Sequence, residues 1–320
     1  MIRQSPLYPH CRRALSRERG ARRSLRRLAA GVSVVLASCI GGTSEGREPA
    51  LPDPETFRRE VRARLLGDRE LQSRYTYIEK REELDISNLG GVSEGPVKVY
   101  EVYPSREPGG TYKRLISVDG VPLTPAELAK GDRKHQRDLR RDRERRQRET
   151  AHERKRRLGK EAEEQRERAA IIDEIFDAYD ISLVGREAIS GQQTVVVTLE
   201  PLGSHSPRTD EGELMKKLRV KAWISESDYE LVRVEARVIE DVTVGWGIIG
   251  RLHAGTWGLY ERRKVNGEVW LPLREVVDAS GRTLLVRTFK VNTLTEWSGY
   301  RRITTEERDK FTQVRRERSN

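Results

Sequence analysis

The spacing of apolar residues predicts one short helix and three strands at the start of the folded part of the chain. Phe57, Val61 and Leu65 lie four residues apart and therefore share one helical face. Asp53 is suited to cap the start of this helix, and Gly67 is suited to end it. Three segments rich in β-branched and aromatic residues follow, separated by turn signals, and they predict strands within residues 74–84, 97–105 and 112–123.

A long polar stretch then predicts helix, with no strand features. Thr124 and Glu127 have the pattern of a capping box. We expect helix over residues 124–179, with Gly159 dividing it into two arms. The second arm ends in apolar residues that we expect to pack onto the body of the protein: Ala170, Ile171, Ile172, Ile175, Phe176 and Tyr179.

Charge is concentrated in this helical stretch and at the N-terminus. The chain has a formal net charge of +11. Residues 1–30 contain nine arginines and one acid, and residues 130–168 contain 17 Lys and Arg against 10 Asp and Glu, so the other positions together carry −4. Because a helix that is polar on all sides has no core-facing stripe, we expect residues 130–168 to project into solvent. Docking to anionic lipid headgroups or to an acidic protein partner is the alternative, whereas ten interspersed acids and no interleaved aromatic residues argue against nucleic acid.

The last third of the chain has the pattern of antiparallel strands joined by short turns. Three hairpins are predicted within residues 181–202, 217–238 and 259–277, and residues 281–297 extend the series. Asn266-Gly267 favours a type I′ turn in the third hairpin. Strands that follow one another without intervening helices form a meander, which must curl or be covered on one face.

The N-terminal residues have the order of a bacterial export signal. An arginine-rich stretch precedes about ten apolar or small residues at 28–37, a run too short to cross a bilayer, which needs about 20. The sequence Leu-Ala-Ser-Cys that ends at Cys39 resembles the lipobox of bacterial lipoproteins. This resemblance implies that residues 1–38 are a signal peptide and that Cys39 is lipidated. A short core helix with a chance cysteine is the alternative.

A lipid anchor at this position would set both the location and the thiol chemistry of the protein. Residues 39–52 are rich in Gly, Pro and Ser, which predicts a flexible tether. Cys11 would leave with the signal peptide, so no free thiol would remain for redox chemistry. Ile40, rather than aspartate, follows the cysteine, and the lipoprotein resemblance therefore favours the outer membrane, facing the periplasm.

Four segments carry a resemblance that covers residues 53–300, apart from the charged arm. They are GREAISGQQTVVVTLEP, VKAWISESDYELVRVEA, GTWGLYERRKVNGEVWLPLR and FKVNTLTEWSGYRRI. In this order they resemble the LolA/LolB-like superfamily, which includes outer-membrane lipoprotein-sorting proteins. The resemblance implies an α+β fold: a curled, incompletely closed antiparallel half-barrel over residues 53–300, with helices on its concave face, interrupted by the charged helical excursion at 124–179 and followed by a polar tail at 301–320. It also implies an apolar hollow that shelters acyl chains.

Apolar residues on the predicted strands are the candidates for lining such a hollow. They are Tyr75, Tyr77, Val99, Leu115, Trp223, Val234, Trp257, Trp270 and Phe289, together with Trp246, Ile248 and Ile249 in a loop expected at the barrel mouth. For each residue alone, packing in an ordinary core is the commoner role. Only the set of residues around an unfilled cavity would indicate a binding site.

The loop at residues 245–250 also matches the G-x-G-x-x-G pattern of dinucleotide-binding proteins. That pattern requires a strand before it, a helix after it and a βαβ setting. Here the following residues have the pattern of another strand. The sequence therefore does not predict a nucleotide site.

Residues with catalytic chemistry are scarce and scattered. His135, Asp138 and Asp142 share a helical face, but they lack a fourth convergent metal ligand. The sequence has no nucleophile elbow, paired carboxylates or phosphate loop. We therefore expect a non-enzymatic envelope protein, without cofactor or metal, that binds a lipid or the acyl chains of another lipoprotein. The alternative is an envelope interaction or stress-regulatory module whose charged arm, residues 130–168, docks a protein partner.

Overall fold

The computed structural model describes residues 50–312, apart from 66, 68, 87–90, 106–110, 245–249 and 284–286. The predicted signal peptide, Cys39, most of the tether, and the loop with Trp246, Ile248 and Ile249 lie outside the described residues. Within the described residues, no helix combines the length and the apolar character needed to span a bilayer.

Six helices and thirteen strands are found in the described part of the chain. The helices are α1 (Pro54–Leu65), α2 (Arg69–Gln72), α3 (Pro125–Gln147), α4 (Ala151–Ala178), α5 (Asp210–Met215) and α6 (Thr305–Phe311). The strands are β1 (Tyr75–Ile86), β2 (Val92–Tyr103), β3 (Tyr112–Val118), β4 (Val121–Pro122), β5 (Tyr179–Ile189), β6 (Gln192–Pro201), β7 (Leu218–Ser225), β8 (Leu231–Val238), β9 (Val242–Val244), β10 (Gly250–Leu252), β11 (Trp257–Val265), β12 (Val269–Arg282) and β13 (Thr288–Arg302).

All thirteen strands belong to one antiparallel sheet, which is open. Eleven of them follow the order β4-β3-β2-β1-β13-β12-β11-β8-β7-β6-β5, while β9 and β10 extend the end of β12. The edge strands β4 and β5 do not pair with each other in the described residues. The predicted α+β fold, an incompletely closed antiparallel half-barrel with helices, is confirmed.

The strand order is not a simple meander from the first strand to the last. The helical excursion carries the chain from the edge strand β4 to the opposite edge strand β5. The later strands then return towards the N-terminal strands, and β13 pairs with β1. The sheet is therefore two meanders joined by the β1–β13 pairing.

Residues with positive φ make the tight turns of the hairpins. Asn266 and Gly267 have φ values of 51° and 70° between β11 and β12, as a type I′ turn requires. Asp119 and Gly120 play the same part between β3 and β4, with φ values of 50° and 79°. The hairpin predicted from Asn266-Gly267 is thereby confirmed.

The helical excursion is divided at residues 148–150 and not at Gly159. Thr150 caps α4, and its side chain and that of Glu153 form a second capping box. Gly159 lies inside α4, so the prediction that it separates the two arms was wrong. A reciprocal pair of cap hydrogen bonds starts a new helix at Thr150, whereas one glycine inside a long helix costs only about 1 kcal/mol.

One face of the sheet, which we call the inner face, is packed against helices at the β5–β8 end. Directly paired residues of antiparallel strands share a face, and the inner face is defined by the row Val197, Ala222, Val234, Tyr260, Glu275, Thr295 and Arg81. Phe57 and Val61 of α1 pack against Val195, Val197 and Ile224. The end of α4 and α5 complete this cover through Ile171, Ile175, Tyr179 and Met215, as predicted for the apolar end of the second arm.

At the opposite end of the sheet, α3 and α6 pack on the other face, which we call the outer face. Phe311 of α6 lies against Tyr103 and Tyr112, with ring centroids 4.3 Å and 5.6 Å away. Asp132 of α3 accepts hydrogen bonds from Tyr112 and Arg114 at 2.9 Å. Residues 301–312 therefore do not form the predicted polar tail. The strand β13 continues to Arg302, and α6 buries Phe311 in the core.

Candidate functional site

A half-open cavity of about 290 Å³ lies between the end of α1 and the inner face of the central strands. Its lining residues are Arg64, Leu65, Gly67, Gln72, Tyr229, Glu230, Leu231, Tyr260, Arg262, Trp270 and Pro272. The volume is at the lower end of the usual range for small-molecule pockets, about 300–1,000 Å³. The inner face is thus not completely filled by the protein's own side chains.

The turn after α1 positions the wall of this cavity. Gly67 has a φ of +66°, a conformation that favours glycine, and its amide donates to the carbonyl of Arg64 at 2.9 Å. The chain then enters α2, and Leu71 packs beside the buried Tyr75 and Leu271. Leu65, in the last turn of α1, is left at the edge of the cavity while Phe57 and Val61 fill the core.

Hydrogen bonds hold the polar part of the cavity wall in place. The Arg262 guanidinium pairs with Glu230 at 2.9 Å and donates to the carbonyl of Trp270 at 2.9 Å. The Trp270 indole N–H donates to Asp228 at 2.9 Å, and burial of Asp228, which raises its pKa, is outweighed by hydrogen bonds that lower it. The charges of Glu230 and Arg262 therefore offset each other, and the indole is fixed in one orientation.

Four aromatic residues extend the cavity wall across the inner face. Tyr260 and Trp297 meet edge to face with ring centroids 6.2 Å apart, and Tyr77 and Tyr300 are 5.3 Å apart. The Tyr300 hydroxyl donates to the carbonyl of Pro272 at 2.7 Å. We call Tyr77, Tyr260, Trp297 and Tyr300 the aromatic cluster.

The aromatic cluster carries no charge at neutral pH. Burial is the main cause that raises the pKa of Tyr77 to about 12, and the nearby Glu79 and Tyr260 raise it further. Burial likewise raises the pKa of Tyr260 and of Tyr300. Each phenol is therefore protonated under physiological conditions. The polar atoms of the cluster are the phenol hydroxyls and the Trp297 indole N–H, and the Arg263 guanidinium lies 5.2 Å from the centroid of the Tyr300 ring.

Beyond the aromatic cluster, towards β3, the inner face becomes ionic. Glu79 is 3% exposed, and both of its carboxylate oxygens accept hydrogen bonds from the Lys113 ammonium at 2.8 Å. Arg81 lies 3.7 Å from the same carboxylate. The apolar character of the inner face therefore does not extend to β3. The inner face has an aromatic region around β11–β13 and an ion-paired region around β1–β3.

The predicted lining residues fall into several environments. Tyr77, Leu115, Val234 and Phe289 lie on the inner face, and Trp270 lines the cavity. Tyr75 is completely buried in the core, where its hydroxyl donates to Glu268 and accepts from Asn266. Of these, only Tyr77 and Trp270 contribute to the cavity or the aromatic cluster.

Three predicted lining residues lie on the outer face: Val99, Trp223 and Trp257. Trp223 is 3% exposed because Lys221 and Arg233 cover its ring at 4.5 Å and 4.7 Å, and its indole N–H donates to Glu187 at 2.7 Å. Their placement on the barrel interior was wrong because both alternating sets of residues in β2 and β7 contain apolar side chains. Alternation alone then does not distinguish the two faces.

Several residues of the site were not singled out from the sequence, among them Leu65 as a cavity residue, Tyr229, Leu231, Tyr260, Trp297 and Tyr300. Tyr260 and Trp297 meet only because β11, β12 and β13 pair in one register. The Asn266-Gly267 turn gave no usable signal, because the register of β11 and β12 shifts between Glu261 and Arg262 and Tyr260 also pairs with Val234 of a different strand, β8.

The three residues considered as metal ligands, and not predicted to form a site, make other contacts. The His135 ring stacks on Tyr112 with centroids 3.9 Å apart, and its Nε2 lies 2.6 Å from the Phe311 carbonyl oxygen. Asp138 pairs with Lys134 and Arg141, and Asp142 pairs with Arg145. In the part of the chain that the structure describes, no group of three or more His, Cys, Asp or Glu residues is placed to hold a metal ion.

The architecture is an open antiparallel half-barrel whose inner face is covered by helices at one end. No protein family model matches the chain, and no curated protein matches it. Solved structures that are similar to it include an outer membrane lipoprotein-sorting protein domain from Vibrio parahaemolyticus, with 12% identity, coverage of 82% of this chain and 99% of that chain, and a TM-score of 0.33.

Two further solved structures are similar over the same part of the chain. A DUF1329 family protein from Desulfovibrio piger has 12% identity, with 81% of this chain and 97% of that chain covered and a TM-score of 0.28. A LolA superfamily protein from Nitrosomonas europaea has 11% identity, with 81% and 96% covered and a TM-score of 0.25. At these identities, no residue role can be transferred from those structures to this chain. The chemistry of the site follows from contacts within this chain.

Proposed function

We propose that this protein is a non-enzymatic carrier that holds one acyl chain of a lipid or lipoprotein in the inner-face cavity. The observation that carries the proposal is the unfilled cavity of about 290 Å³, whose wall continues into the uncharged aromatic cluster. Apolar surface that stays open in a folded protein favours an apolar ligand, because each buried Å² contributes about 25 cal/mol. The small volume favours a single chain over several.

The polar groups at the cavity are suited to the headgroup of such a ligand. Arg64 lines the cavity, and among the described residues it has no ion-pair partner. Glu230 and Arg262 are engaged with each other. We therefore propose that the hydrocarbon lies against Leu65, Tyr260 and Trp270, and that an anionic headgroup lies near Arg64.

The location belongs to the same proposal. The lipobox-like sequence supports export, cleavage before Cys39 and acylation of that cysteine, and the residue that follows it favours the outer membrane. A chain with an acylated N-terminus would work at the periplasmic surface of that membrane. The carried lipid would then pass between a membrane and the open side of the sheet.

The proposal is tested by closing the cavity from one side. Leu65→Trp puts a large ring into the cavity, whereas Leu84→Trp adds the same ring at an exposed position on β1. We expect the wild type and Leu84→Trp to bind a dansyl-labelled undecanoic acid with the same affinity. Leu65→Trp should bind it at least tenfold more weakly, a loss of about 1.4 kcal/mol.

The readout is the increase in dansyl fluorescence on transfer to an apolar site, titrated against each purified protein. Thermal unfolding of all three proteins shows whether the fold is kept. No saturable binding by the wild type, or equal binding by Leu65→Trp in a folded protein, contradicts the proposal.

A further inference from the structure

Near the junction of α3 and α4, the two sides of the arm carry different sets of charged residues. On one side, residues of both helices line a groove of about 590 Å³ in which cations and acids alternate: Arg145, Arg146, Arg148, Glu149, Glu153, Arg157, Lys160, Glu161 and Glu164. Arg157 contacts both Glu149 oxygens at 2.9 Å and Glu161 at 3.0 Å. Within this groove the charges of Arg157, Glu149 and Glu161 are thus engaged with one another.

The other side of α4 has a different composition. Ala151, Arg154, Lys155, Leu158 and Ala162 follow a spacing of three or four residues and share one helix face. Arg154 and Lys155 have no ion-pair partner in the described residues. Leu158 is 50% exposed between them. We call these five residues the Leu158 face.

The arm holds the Leu158 face away from the body of the protein. At about 1.5 Å per residue, the 23 residues of α3 span about 34 Å. Contacts of α3 with the sheet and with α6 come from its first three turns, through Asp132 and His135. The junction of α3 and α4, at the far end of the arm, is therefore placed to reach a surface outside the half-barrel.

We propose that the Leu158 face docks onto the anionic surface of a lipid bilayer. Two unpaired cations attract anionic headgroups, and their long aliphatic stems can lie along the interface while the charged ends stay in water. Leu158 then enters the boundary between headgroups and acyl chains, and the small residues Ala151 and Ala162 allow the helix to lie close to it. Glu149 borders this face, but both of its carboxylate oxygens accept hydrogen bonds from Arg157, and the acids Glu153 and Glu164 are on the groove side. No aromatic residue is present on this face to stack with bases, which disfavours nucleic acid.

The test measures binding to vesicles of the mature chain of the proposed function, residues 39–320, with Cys39→Ser so that no acyl anchor attaches the protein by itself. Phosphatidylethanolamine vesicles with one quarter phosphatidylglycerol are compared with neutral phosphatidylcholine vesicles by co-sedimentation. The variant Arg154→Gln/Lys155→Gln removes the two cations of the Leu158 face. The matched control, Arg145→Gln/Lys160→Gln, removes two cations from the groove side of the same arm.

We expect the affinity for anionic vesicles to fall about 25-fold in the first variant, about fivefold for each cation. The control should change less than about threefold, and raised salt should weaken the wild type. Leu158→Gln should lose affinity without any change of charge. Far-ultraviolet circular dichroism confirms that each variant keeps its helices. An equal loss in the control, or equal binding of all proteins to both kinds of vesicle, overturns the proposal. Capture of an acidic protein by wild type that does not bind anionic vesicles also overturns it.

Discussion

Replacing Glu174 by glutamine tests how the end of the arm is attached to the sheet. Glu174 is a residue of α4 with 0% exposure. Its carboxylate accepts hydrogen bonds from the His205 ring at 3.0 Å, from the Arg208 backbone amide at 2.6 Å and from the Thr209 hydroxyl. One carboxylate therefore ties α4 to the loop between β6 and α5, next to the cluster that contains Met215.

The contribution of Glu174 to the stability of the fold follows from the pKa of its carboxyl. Burial raises the pKa, but the hydrogen bonds from Thr209, the Arg208 amide and His205 outweigh burial and lower it from 4.5 to about 2. At 1.36 kcal/mol per pKa unit, the ionised form stabilises the fold by about 3 kcal/mol. Because the folded pKa is below the unfolded one, this stabilisation is complete above about pH 4.5 and is lost as the pH falls towards 2.

We expect Glu174→Gln to lower the free energy of unfolding by about 2–3 kcal/mol at pH 7. At about 2–4 °C per kcal/mol for a domain of this size, the midpoint temperature should fall by about 6 °C. The difference between wild type and variant should shrink between pH 5 and pH 2.5. Scanning calorimetry at several pH values measures both effects, with Glu163→Gln at an exposed ion pair as the control. A loss below about 1 °C, or a difference that stays constant down to pH 2.5, would refute the reasoning.

Two further substitutions test the packing around the site. Gly212→Ala should destabilise the protein by about 1–3 kcal/mol, since an added Cβ would overlap the Glu174 carboxylate; chemical denaturation measures it, and wild-type stability would contradict the contact. Phe57→Ala should cost about 3–5 kcal/mol, because this buried ring attaches α1 to β6 and β7 and packs 5.7 Å from Tyr229. A cost below about 1 kcal/mol, measured in the same way, would show that α1 is not held by this contact.

Local features of the fold could be predicted from the sequence because neighbouring residues determine them. The spacing of Phe57, Val61 and Leu65 determines α1 and its buried face. Asn266-Gly267 determines a hairpin, since both residues adopt positive φ. The second capping box, Thr150 with Glu153, was equally readable and marks the true division of the arm.

Features that depend on pairing between distant strands could not be predicted in this way. The β1–β13 pairing joins the first and last strands, and no local pattern specifies it. Which residues face inwards then depends on register, so Trp223 was placed on the wrong face and Tyr260 was not selected. The ion pair of Glu79 and Lys113 on the inner face was also beyond reach, because the two residues lie on different strands and no local pattern brings them together.

The content of the inner-face cavity tests the central claim most directly. The measurement is mass spectrometry of lipids extracted from the full-length protein, purified from a bacterial envelope, beside Leu65→Trp and Leu84→Trp purified in the same way. We predict a lipid with at least one acyl chain, near one per molecule in the wild type and Leu84→Trp and strongly reduced in Leu65→Trp. Lipid that is absent from the folded wild type, or present in equal amounts in all three proteins, would contradict the account.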